Sequence, residues 1–128
     1  MITGFEEITK DLTEYEKDVL LPVICRGMRT KRGIDNAIKS PGIVKALRSQ
    51  GYKITDARLR KVLHVIRVSG MIKGIVASSK GYYIATKEDE YLNYIKSLKE
   101  RIAHITSLRA AMIEQYSQEY ALPKLNNQ

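Results

Sequence analysis

The sequence predicts a mainly α chain with one small β-hairpin, an α+β class, ending in a long C-terminal helix. Three observations predict it. Residues 54–70 carry the start signal, apolar stripe and stop of one amphipathic helix. Two short runs rich in β-branched and aromatic residues, 71–77 and 81–85, follow around a polar turn. From Thr86 onward, apolar residues recur at alternating spacings of four and three.

The bulk composition allows this. A chain of 128 residues with 44% hydrophobic content suffices for one compact core, and eight glycines and three prolines are too few for a disordered chain. No apolar run reaches the roughly 18 residues of a membrane span. The acidic start is wrong for a signal peptide, so a cytoplasmic location without membrane association is expected. Cys25 is the only cysteine, which excludes a disulfide framework and a Cys-rich zinc site; within an apolar helix it reads as a small core residue. Neither a metal nor another cofactor is expected.

Taken in order, Thr13 and Glu16 form a capping box that opens a first helix from Glu14 to about Met28. Its stripe of Tyr15, Val19, Leu20, Val23, Ile24 and Cys25 suits a central helix, with a kink expected at Pro22. Arg26 to Gly33 read as a basic loop bracketed by glycines, and residues 36–39 as a short strand. Ser40 as N-cap and Pro41 at the first helical position open a second helix that ends near Gln50. Its residues Ile43, Val44 and Leu47, with Tyr52, should face the helices on either side. Four residues, Gly51 to Ile54, then join it to Thr55, the N-cap of a helix over 56–69 that Gly70 stops.

Turning 100° per residue puts Leu59, Val62, Leu63 and Ile66 on the inner stripe of that helix, and Arg60, Lys61 and His64 on the outer side between Arg58 and Arg67. Along the hairpin, alternation puts Tyr82 and Ile84 inside and Tyr83 outside. The last helix runs from Lys87 to about Tyr120, with Glu88, Asp89 and Glu90 at its positive end. The expected division is a domain over 1–85, a helix over 86–121 and a flexible tail over 122–128.

The charge is unevenly distributed. Residues 1–25 sum to −4, residues 26–86 to +12 and residues 87–128 to zero. The net +8 thus comes from the segment holding the two-helix turn, the basic helix and the hairpin. A basic helix running straight into a short ribbon is the recognition helix and wing of a winged helix-turn-helix, and it points to double-stranded DNA. Arginine can clamp both major-groove acceptors of guanine, so Arg58 and Arg60, near the helix start, are the first candidates for base contact. Lys61 and His64 come next, while Arg67 suits phosphate. Ser40 and Thr55 cap helix N-termini whose amides can receive phosphate oxygens. Ser79 and Lys80 at the hairpin tip, and Arg29, Lys31 and Arg32 in the basic loop, complete the expected DNA-binding set.

Tyr91, Ile95, Leu98, Ile102, Ile105, Met112 and Tyr116 form the seam of the last helix, interrupted by Arg109. It is too long to pack on so small a domain, so a coiled-coil homodimer is expected, with Arg109 helping to set its register.

From its capping box through Ser40-Pro41, the helix over 56–69, the strand Gly81-Tyr82-Tyr83-Ile84 and the long helix, the chain resembles winged helix-turn-helix proteins of bacterial phages and mobile elements. The likeness covers about residues 12 to 116. In that group a Gly-Tyr-Tyr strand leads directly into a C-terminal oligomerising helix; this chain departs from many of them in its very short wing tip. The resemblance implies a transcriptional regulator, or an accessory replication or packaging protein, in a bacterial cell or phage-infected host. A protein-interaction inhibitor that keeps the same fold and binds a host or phage protein is the competing class. Catalysis is not expected: there is no phosphate-binding glycine loop and no metal-ligand spacing, and His64 and His104 have no matching acid or nucleophile pattern.

Overall fold

The computed structural model describes residues 8–121; the tail expected over 122–128 lies outside them. The protein is mainly helical, with one two-stranded antiparallel hairpin and a long C-terminal helix.

The capping box forms. The Thr13 amide donates to the Glu16 carboxylate at 2.8 Å, and the Glu16 amide to the Thr13 hydroxyl at 3.2 Å. The backbone is π-helical over Glu16–Leu20 and then continues as α1 (Leu21–Arg29). Pro22 has no N–H to bond four residues back, so the turn ahead of it widens and the Leu21 amide reaches the Glu16 carbonyl. Arg26 to Arg29 are the last turn of α1, not loop: burial of Ile24, Cys25 and Met28 carries the helix across Gly27.

A 3-10 turn (Ile34–Asn36) leads to α2 (Ser40–Ser49). Ser40 is not its cap. That position is Lys39, whose carbonyl accepts from the Gly42 and Ile43 amides, and Ser40 and Pro41 are the first two helical residues. The fixed φ of proline suits either position, so the boundary moves back by one residue. The turn into α3 (Asp56–Ser69) is tied by Arg48, whose Nε donates to the Ile54 carbonyl at 2.9 Å. Thr55 caps α3 and Gly70 ends it in a left-handed conformation, as the sequence predicts.

The hairpin pairs β1 (Ile75–Ser78) with β2 (Gly81–Ile84) around Ser79 and Lys80. The strand expected over 36–39 shrinks to one bridge. Ile38 and Tyr82 exchange amide-to-carbonyl bonds of 3.0 and 2.8 Å. Gly81 permits that approach: its φ is +116°, and a Cβ there would overlap the Ile38 backbone.

Leu59, Val62, Leu63 and Ile66 of α3 are the centre of the core, each at most 1% exposed. The inner sides of α1 and α2 close around them, with Ile72, Ile75 and Ile84 below. Tyr83 is also buried, at 5% exposure, against the expectation from alternation. The second side of β2 does not face water, because the start of the last helix covers it and Glu90 hydrogen-bonds the Tyr83 hydroxyl.

That helix, α4 (Glu88–Tyr116), continues as a π segment over Ser117–Ala121. The Glu90 carboxylate accepts from the amides of Thr86 at 2.9 Å and Lys87 at 3.1 Å, fixing the helix start. Packing divides the chain into two units after Tyr91. The Tyr91 ring fills the space beside Gly74, so it belongs to the first unit. Among the described residues, no helix is long and apolar enough to cross a membrane.

Candidate nucleic-acid interface

Because α3 buries one stripe in the core, its other side faces outward, with Arg60 and His64 exposed and Lys61 and Arg67 half-buried. Arg60 Nε pairs with Asp56 one turn back at 3.0 Å. Both side chains are about half exposed, and such a pair contributes only about 0.3–0.5 kcal/mol, so the guanidinium is not fixed by it. The Arg67 guanidinium sits 5.8 Å from the centre of the Tyr82 ring, a cation–π contact joining α3 to β2. Ser79 and Lys80 are exposed at the hairpin turn, where the Lys80 amide donates to the Ser78 hydroxyl.

Arg58 is not part of this surface. It is 7% exposed and donates to the Glu16 carboxylate through Nε at 2.8 Å and Nη2 at 2.7 Å. Nη1 and Nη2 also donate to the carbonyls of Lys10 and Asp11. A base edge cannot reach a guanidinium so enclosed. The Arg58 bonds hold the Glu16 carboxyl at about 2, far below its ordinary value; burial opposes the shift and the Thr13 bonds add to it.

Other expected residues divide between locations. Ser40 lines a groove of about 520 Å³ with Lys45, Arg48, Asp56 and Arg60, between α2 and the start of α3. Lys45 is an exposed cation there that the sequence does not single out; its place one turn beyond Ser40-Pro41 is the signal that marks it. The Thr55 hydroxyl is engaged by the Arg58 amide at 3.2 Å. Arg29 is exposed in the last turn of α1, while the backbone of Lys31 and Arg32 pairs with that of Ile84 at the end of β2.

A second groove, of about 240 Å³, gathers Arg60, Lys61, His64 and Arg67 with Leu63 and Tyr82. Ile8 and Thr9 complete its walls, so the N-terminal segment lies against the helix side expected to face a ligand.

In the second unit, Ile95, Leu98, Ile102, Ile105, Met112 and Tyr116 are all exposed, as are Leu92, Leu108 and Ile113. Tyr91, expected at the head of the same seam, is 39% exposed beside Gly74. Among the described residues no group of three or more His, Cys, Asp or Glu is placed to hold a metal ion. Cys25 is buried with its thiol pushed up by desolvation, an environment that suits packing and not nucleophilic attack. Comparison with known proteins gives no match to any family model, curated protein or solved structure.

Proposed function

We propose that this protein binds double-stranded DNA as a winged helix-turn-helix, with α3 as recognition helix and the β1–β2 hairpin as wing. The observation that carries the reading is the convergence of Arg60, Lys61, His64 and Arg67 on the outward side of a helix that follows a tight turn and leads into a hairpin. Cations at that position suit phosphate contact, and Arg60, one turn into the helix, suits a base edge. Ser40 and Lys45 line a groove with Arg60, and Lys80 is exposed at the hairpin tip, where a wing would meet DNA. With α4 as a homodimerising coiled coil, two copies would read a site of two half-sites, the behaviour of a phage or mobile-element regulator.

Selection of bound sequences from a pool of random duplexes tests this. Enrichment of a palindrome with half-sites about one helical turn apart is expected. Binding without enrichment would replace the regulator with an architectural, replication or packaging role. The second reading is an interaction protein that binds a host or phage protein. Its supporting observation is the segment Ile8–Thr9 lying beside the basic row of α3. Absence of duplex binding would favour it.

A further inference from the structure

Between α1 and α2 lies a groove of about 420 Å³, within the size of sites that take small molecules. Its floor is the inner side of both helices, Ile24 and Met28 from one and Ile43 and Leu47 from the other. Arg26, which is exposed, and Lys31, which is half-buried, are the charged residues of its lining, and no acid lines it. Neither cation has an ion-pair partner among the described residues.

Gly27 helps to keep this groove open. Glycine is among the poorest helix formers, yet Gly27 stands inside α1. Its φ is not positive, so the backbone there does not require glycine. Crowding does not require it either: beyond its own helix turn and chain neighbours, no atom lies within 4 Å of where a Cβ would stand. What the missing side chain leaves is room along the groove wall, and the small Ala46 lines the same groove from α2.

We propose that this groove is a binding site for a small amphipathic monoanion, a carboxylate with a short apolar body. The body covers the apolar floor, and the carboxylate draws on Arg26 and Lys31, whose charges no acid of the lining offsets. A neutral or cationic molecule of the same shape lacks the second contribution. The groove shares no lining residue with the one along α3, and its occupancy does not depend on DNA binding.

Titration of the isotope-labelled full chain with octanoate, followed by amide shifts, tests this. Saturable shifts are expected at Gly27, Met28 and Leu47, with half-saturation near about 1 mM for so small a ligand. Octanol, which has the same body without the charge, should bind at least about tenfold more weakly, and Arg26→Gln with Lys31→Gln should remove that preference. Gly27→Leu fills the open space and is expected to weaken octanoate at least about tenfold while keeping the amide spectrum of the folded protein.

No saturable shift at the groove, or shifts confined to the exposed apolar residues of α4, would overturn the site. Equal binding of octanol and octanoate would overturn the anionic class of ligand. Octanoate binding unchanged in a folded Gly27→Leu would also overturn the site.

Discussion

Arg58 and Glu16, forty-two residues apart in the chain, meet through two charge-assisted hydrogen bonds of 2.8 and 2.7 Å at the start of α3. Both partners also act elsewhere, since the carboxylate completes the cap of the first helix and the guanidinium holds Lys10 and Asp11. One junction therefore fixes three segments, the N-terminal chain, the entry to the first helix and the first turn of α3. Its fork geometry is one that lysine cannot reproduce.

Arg58→Ala is expected to cost about 3–5 kcal/mol, because it leaves the buried Glu16 carboxylate without its countercharge. Urea unfolding followed by circular dichroism measures this. Arg60→Ala, removing an exposed pair, should shift stability by less than about 0.5 kcal/mol. Similar losses for the two would contradict the division between junction and surface.

Acid should weaken the same junction. The Glu16 carboxyl stands at about 2 in the fold, below its ordinary 4.5, so the folded state binds this proton less readily than the unfolded chain. The contribution, on the order of 3 kcal/mol, is complete above the ordinary value and is lost as pH falls from about 5 towards 2. Stability measured at pH 7, 5 and 3 should decline across the last interval, and Glu16→Gln should remove most of that slope. An unchanged slope in the variant would assign the acid sensitivity elsewhere.

Gly81→Ala places a Cβ on the Ile38 backbone at a left-handed φ, where no flexible side-chain end can give way. A loss of at least about 2 kcal/mol is expected, with weaker amide protection at Ile38 and Tyr82. Wild-type stability would show that the bridge is dispensable.

Arg60→Ala should weaken binding to a preferred duplex by about 1–3 kcal/mol and affect mixed-sequence duplex less. Quantitative gel-shift titration on both duplexes reads this. Equal losses would give Arg60 a phosphate role in place of base reading.

Ile102→Glu places a charge at an exposed seam position of α4. If the seam joins two copies, sedimentation should show the variant at half the mass of the parent. The same mass for both would end the dimer proposal.

The limits of α3 are legible in the sequence because three local signals agree: the Thr55 cap, the stripe from Leu59 to Ile66, and Gly70. The capping box is legible for the same reason, its two partners being three residues apart. The partner of Arg58 is not. A helical wheel gives its angle on α3 but says nothing of a carboxylate forty-two residues away, so it reads as one more basic residue near a helix start. Tyr83 fails similarly: alternation assigns it to one side of the strand without revealing that the first turn of α4 covers that side. The grouping of Arg60, Lys61, His64 and Arg67 follows from helical spacing, whereas the passage of Ile8 and Thr9 beside it depends on tertiary contacts alone.

The most direct test of the central claim is the affinity of the full chain for duplex DNA between about 50 and 200 mM salt. With roughly five phosphates contacted, a fall of several hundredfold over that range is expected, with a slope reduced by about one when Lys61 is replaced by Ala. No binding at the lower salt, or binding indifferent to salt, would contradict the assignment of α3 and its hairpin to DNA.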